Sequence, residues 1–209
     1  MTPFDTLTAS ACALPLASID TDQLIPARFM KRSRADGYGQ YLLHDMRFDA
    51  HGQARPDFPL NTPAAQQAEV LVTRRNFGAG SSREAAVYAL VDFGFRCVIA
   101  PSFGDIFASN AVNNGLLPAK VSEADAEEIL ELLQTATSAM TVDLNDCLIR
   151  IGNRSFSFAI DPIWRTKLLN GWDDLDLTLA HDRDIARFEQ HDRGERPWVQ
   201  MPHQDTGSS

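Results

Sequence analysis

Regular hydrophobic patterning begins near residue 68. Ala68 to Thr73 forms a short apolar run and reads as a strand, Ser82 to Phe93 has helical spacing, and Arg96 to Ala100 reads as a second strand centred on Val98 and Ile99. Ser102 to Asn113 is helical again, with Ile106 and Phe107 apolar and Gly115 in the stop position. Gly115 to Ala119 follows as a short strand. Strands alternating with helices predict a small parallel sheet with crossover helices, whose ligand sites lie in the strand-to-helix loops. A helix then opens at Ser122-Glu123-Ala124-Asp125, with Ile129, Leu130, Leu132 and Leu133 on its apolar face. Thr141 to Leu144 and Asn153 to Ile160 alternate with period two, which predicts an antiparallel segment. Asp161-Pro162 starts a helix that runs through Leu169 and ends at Asn170-Gly171, and a last helix spans Asp182 to Gln190. Residues 1–60 read as largely irregular, punctuated by Pro15, Pro26, Pro56 and Pro59. No internal repeat is visible. Residues 1–190 are therefore expected to form one domain, with 191–209 a flexible tail apart from Trp198.

Composition narrows the class. With 44% hydrophobic and 22% charged residues, the chain has the balance of a globular protein and not of a disordered one. A net charge of -9 argues against nucleic-acid binding through a basic face, although Arg28, Lys31, Arg32 and Arg34 form a local cationic stretch, either solvated surface or an anion site. Neither a secretory signal nor a run of about 18 apolar residues is present, so a cytoplasmic, membrane-free location is expected. Cys12, Cys97 and Cys147 are far apart, and none of the five histidines, His44, His51, His181, His191 and His203, has a partner at metal-binding spacing, so no metal is expected in this chain. Cys97 reads as a small core residue of its strand.

Candidate chemistry concentrates in Asn76-Phe77-Gly78-Ala79-Gly80-Ser81-Ser82-Arg83-Glu84, between the first strand and the first long helix. Gly78 and Gly80 permit backbone angles closed to other residues, and Ser81 with Glu84 fits a capping box. The plain reading is a well-made helix cap. The functional reading is a carboxylate pocket, since a helix start offers amides and an arginine can grip a carboxylate with two parallel hydrogen bonds. Upstream, Ser18-Ile19-Asp20-Thr21-Asp22 is either a functional loop or an Asx-type turn.

Five ordered stretches together resemble the small subunit of 3-isopropylmalate dehydratase, also called isopropylmalate isomerase, and the swivelling domain of the aconitase family. They are Ile19 to Pro26, Asn76 to Glu84, Ala100 to Phe107, Asn114 to Pro118, and Asn170 to Leu179. The resemblance implies an α/β swivelling domain of β/β/α type and a hydro-lyase activity in leucine biosynthesis. It also implies a heteromer in which a [4Fe-4S] cluster is held by the large subunit, a separate chain. The reaction moves a hydroxyl between neighbouring carbons of isopropylmalate through loss and return of water. By the same resemblance Ser81, as an alkoxide, is the base, and Ser82 and Arg83 bind a substrate carboxylate. Arg32 is a second substrate arginine and Asp22 organises the site. Phe29 and Met30 could wall an isopropyl group, where their ordinary alternative is core packing.

Three departures accompany the match. The family usually has cysteine at Ala79, histidine at Ala85 and a Pro-Trp pair at Val87-Tyr88. These leave Ser81, Ser82 and Arg83 untouched but open the substrate to other alkylmalates of citramalate or dimethylmalate type. They also leave open a non-catalytic carboxylate-binding protein on the same scaffold. A nucleotide module is disfavoured because Gly78-x-Gly80 lacks the rest of the Gly-x-Gly-x-x-Gly pattern.

Overall fold

A computed structural model describes residues 1–135, 139–180 and 182–196. The chain divides into two compact units, Met1–Trp172 and a second that begins at Asp173. The first unit is built on a seven-stranded sheet in the order β4-β3-β2-β1-β5-β6-β7. The strands are β1 (Thr6–Leu14), β2 (Val70–Thr73), β3 (Cys97–Ala100), β4 (Leu117–Lys120), β5 (Ala139–Asp143), β6 (Leu148–Ile151) and β7 (Arg154–Ser157).

β1 joins two half-sheets. Its first half, Thr6 to Ser10, pairs antiparallel with β5, while its second half, Ala11 to Leu14, pairs parallel with β2. Beyond β2 the neighbours β3 and β4 are parallel, and beyond β5 the neighbours β6 and β7 are antiparallel. The expected parallel sheet and antiparallel segment are thus both present, as parts of one sheet. β1 itself lies in the stretch whose sequence reads as irregular. Its residues, Thr-Leu-Thr-Ala-Ser-Ala-Cys-Ala-Leu, alternate with small side chains that carry a weak strand signal on their own. β6 is likewise not distinguished by the sequence pattern, because the short turn at Gly152-Asn153 merges it with β7.

Alternating residues of the parallel strands feed two cores, as a period of two requires. Leu71 and Val98 face one core, with Leu24, Ala86, Leu90, Phe107 and Leu116, which precedes β4. Val70, Cys97, Ile99 and Leu117 face the other, with Ile129, Leu130, Met140 and Leu168. Cys97 is fully buried, as its strand position predicts, and burial pushes its thiol upward.

Helices α1 (Thr21–Leu24) and α2 (His44–Arg47) punctuate the loop-rich segment before β2. Between the later strands lie α3 (Glu84–Phe93), α4 (Asp105–Asn113) and α5 (Glu123–Thr135), and α6 (Pro162–Asn170) follows β7. α6 starts where expected: Asp161 accepts bonds from the amides of Ile163 and Trp164, and Gly171 takes the left-handed conformation at its end. Lys167, buried on α6, donates to the side chain of Asn113 at the end of α4.

The second unit holds α7 (Asp174–Leu179) and α8 (Asp182–Glu195). α8 extends five residues past the expected end at Gln190, into the stretch expected to be tail. Mixed i,i+4 pairs such as Arg193 with Glu189 and Arg196 with Asp192 support that extra turn. Trp198 and His203 lie outside the described residues. No helix among the described residues is long and apolar enough to cross a membrane.

Candidate active site

The strand-to-helix loop after β2 is held from three sides. Gly78 N donates to Ile19 O at 2.7 Å, Thr21 N donates to Ala79 O at 2.9 Å, and the Thr21 hydroxyl donates to Ser81 O at 2.9 Å. On the other flank, Phe77 N donates to Ser102 O, Gly104 N donates to Phe77 O, and Asn76 N reaches the Ser102 hydroxyl at 2.8 Å. Three motifs distant in sequence, at 18–22, 76–83 and 102–105, thus become one bonded cluster.

Two glycines make this approach possible. Gly78 has φ +70, and a Cβ there would sit 2.2 Å from the Phe107 ring. At Gly104 a Cβ would sit 2.5 Å from the Gly78 carbonyl oxygen. Phe77, fully buried, anchors the loop from below by edge contacts with Phe103 and Phe107.

Ser81 and Ser82 are exposed. The capping box expected from Ser81 and Glu84 does not form. The N-cap of α3 is Arg83, in an extended conformation and with no side-chain cap, so Ser81 lies two residues before the cap. Glu84 turns away instead, accepting from Asn114 Nδ2 at 3.0 Å. The loop bonds to Thr21 explain the shift, since they hold Ser81 in the loop backbone and off the helix axis. An uncapped start leaves first-turn amides without a side-chain acceptor, so they can serve an external anion.

Arg83 is the best-placed cation, with its side chain only 19% exposed. Its guanidinium contacts the Asp22 carboxylate at 2.5 Å and the Met30 sulfur at 3.6 Å. Asp22 thus occupies a guanidinium whose chemistry would also suit another carboxylate. Asp20, by contrast, forms the local cap: Asp20 Oδ1 accepts from Gln23 N at 2.7 Å while Gln23 Oε1 accepts from Asp20 N. The turn reading of that loop thus holds at Asp20.

Met30, partly exposed, borders Arg83, so it joins the cluster. Phe29 stacks on Tyr41 at 4.3 Å, under the Arg28 guanidinium, and packs as part of the core margin. Of the cationic stretch, Arg28 pairs with Asp45, and Arg34 lies over the Tyr88 ring and near Asp92. The Arg28 hydrogen bonds hold the Asp45 carboxyl well down, at about 2. Arg32 offers its backbone carbonyl to the Tyr38 hydroxyl at 2.8 Å, and its exposed side chain forms no ion pair among the described residues. Tyr38 is a site support that no sequence motif singles out, since its place in a loop-rich stretch gives no periodic signal.

Among the described residues no three His, Cys, Asp or Glu side chains converge as a metal site. Burial raises the Cys12 thiol to about 11, which disfavours the thiolate a metal would need.

A parallel half-sheet carrying an exposed serine and a half-buried arginine at an uncapped helix start defines the class. The model for the aconitase C-terminal domain matches residues 1–124, more than half the chain. The model for the C-terminal domain of the 3-isopropylmalate dehydratase small subunit matches residues 174–201. Relatives described as 3-isopropylmalate dehydratase small subunit include one from Shouchella clausii, 46% identical over 90% of this chain and 96% of its own length. Another, from Gluconobacter oxydans, is 45% identical over 95% of this chain and 96% of its own length. The crystal structure of 3-isopropylmalate dehydratase from Methanocaldococcus jannaschii superposes with a TM-score of 0.62 at 25% identity, covering 88% of this chain and 99% of that one. Within the aconitase C-terminal-domain class, the chain belongs to the 3-isopropylmalate dehydratase small-subunit family.

Proposed function

We propose that this chain is the small subunit of an isopropylmalate isomerase, a hydro-lyase that interconverts 2-isopropylmalate and 3-isopropylmalate in leucine biosynthesis and acts only with its large subunit. The observation that carries the reading is the Ser81-Ser82-Arg83 segment. Its two serines are exposed, its backbone is held by Thr21, and it is set at the uncapped start of α3.

In the proposed mechanism Ser81 Oγ, ionised, accepts the proton from the carbon beside a substrate carboxylate. The C–H electron pair becomes the second bond of an alkene as the neighbouring C–O bond breaks, and the leaving hydroxide takes a proton from a general acid of the proposed large subunit to depart as water; on rehydration that acid takes the proton back. Rehydration runs the same steps in reverse on the adjacent carbon, with the Ser81 hydroxyl returning the proton. The start of α3 and the Arg83 guanidinium favour the anionic forms of both Ser81 and the substrate carboxylate. Arg83 grips that carboxylate, with the Ser82 hydroxyl as a further donor and Asp22 keeping the fork oriented until substrate displaces it. Arg32, cationic and without an ion pair among the described residues, takes the distal carboxylate, and Met30 with Phe29 borders the alkyl group.

Of the three cysteines Cys12 and Cys97 are buried thiols and only Cys147 is partly open, which is too few for the ligand set of a [4Fe-4S] cluster, so the cluster is assigned to the proposed large subunit. Of the altered positions, Ala79 lies in the loop and Ala85 in the first turn of α3, and neither enters the Arg83–Asp22 pair. Neighbouring alkylmalates are therefore the second substrate reading.

Reconstitution with an iron-sulfur large subunit tests the proposal. The chain alone should turn over nothing, whereas the pair should interconvert the two isopropylmalates faster than citramalate or dimethylmalate. Turnover of another alkylmalate in preference would move the substrate assignment. Binding without turnover of any alkylmalate would make the chain a carboxylate-binding protein and overturn the enzyme reading.

A further inference from the structure

A cavity of about 250 Å³ opens between the start of α4, the end of β4 and the start of α6. It is bordered by the Ser102–Asp105 strap and contains none of the residues assigned to catalysis. Its size falls just below the range typical of drug-sized ligands, which suits a small metabolite. Phe103, Pro118, Ile160 and Trp164 provide an apolar, partly aromatic lining.

The ionisable groups at its edge carry both signs. Asp105 is the first residue of α4 and Lys120 the last of β4, and neither forms an ion pair among the described residues. Lys120 is rigidly based, since its backbone exchanges two hydrogen bonds with Ala159, at 3.2 and 2.7 Å. Asp161 spends one oxygen, Oδ1, on the cap of α6, leaving Oδ2 for another donor. Opposite charges that share an apolar cavity without pairing to each other can each be met by one ligand bearing both signs.

We propose that this cavity binds a small α-amino acid with an apolar side chain. The ammonium group lies against Asp105 and Asp161, the carboxylate against Lys120, and the side chain against Trp164 and Phe103. With one more acid than base, the cavity repels the dicarboxylates suited to the Ser81–Arg83 loop. The two sites thus select opposite ligand classes. Because Ser102 and Gly104 are bonded to Asn76 and Phe77, the occupied cavity rests on the segment that supports the Ser81 loop.

Isothermal titration of the full chain with L-leucine and L-methionine tests the assignment, with leucinamide lacking the carboxylate and 4-methylpentanoate lacking the ammonium. Saturable binding of an intact amino acid is expected, weakened at least about tenfold by loss of either charged group on the ligand. Lys120→Met and Asp105→Asn, both exposed changes, should produce a comparable loss while circular dichroism stays that of wild type. Malate should not compete. No saturable binding of either amino acid below about 10 mM would overturn the proposal. So would affinity unchanged in both variants, and displacement by malate would place the ligand at Arg83 instead. None of these readouts depends on turnover, so failure here leaves the proposed activity standing.

Discussion

In the proposed mechanism Ser81 and Arg83 divide the work of the site between an exposed hydroxyl and a largely buried cation. Since Ser81 does not cap α3, replacing it separates chemistry from stability more cleanly than the sequence pattern implies. Ser81→Ala should lower the turnover of the reconstituted enzyme by about 10²- to 10⁴-fold. The change in unfolding free energy should stay within about 0.5 kcal/mol, as for surface substitutions generally. Rate assays beside a denaturant titration check both, and near-wild-type turnover would remove Ser81 as the base. Arg83→Lys keeps the charge but loses the planar guanidinium that now contacts Asp22. It is expected to reduce kcat/KM by about 10- to 100-fold, the loss of one to two charge-assisted hydrogen bonds, mainly through KM. An unchanged KM would mean that another residue holds the carboxylate.

Elements supply the precision that single residues lack. The loop after β2 is threaded between α1 and the turn before α4, and its closest approach is between Gly78, Phe107 and Gly104. Gly78→Ala combines a left-handed backbone angle with a clash against a packed aromatic ring. A cost of about 2–4 kcal/mol follows, or a fall in Tm of about 5–15 °C for a chain of this size. A calorimetric scan would show it, and a shift below about 2 °C would mean the loop tolerates movement away from Phe107. The special role of Gly78 was legible in the sequence, and so was the loop's position between strand and helix. The missing cap was not, because Ser-x-x-Glu reports what a helix start could do locally, whereas the bonds from Thr21 and Ile19 arrive from residues about 60 positions away.

For the whole molecule, both hydrophobic cores lie within Met1–Trp172, while in the second unit Leu175, Leu179, Ile185 and Phe188 remain exposed. A chain ending at Trp172 should therefore fold cooperatively, with Tm within about 5 °C of the full chain. Loss of the cooperative transition would show that the C-terminal helices contribute to the first unit's stability. The apolar positions left open on α7 and α8 suit contact with a larger subunit, so the shortened chain should bind that subunit more weakly in a sedimentation or pull-down titration. Equal affinity would assign the interface to the first unit alone.

The amino-acid sequence by itself determined the alternation of strands and helices after residue 68, the glycine-serine-arginine loop and its family, because these depend on local periodicity and on residue types confined to short stretches. Only the tertiary structure decided that β1, built from small alternating residues, is the strand on which both half-sheets meet, since its pairing partners lie at residues 70–73 and 139–143. The same holds for the site, where Asp22 reaches Arg83 and Thr21 holds Ser81 across some sixty residues of chain. Such contacts exist only once the backbone has closed those loops, and no local pattern encodes them.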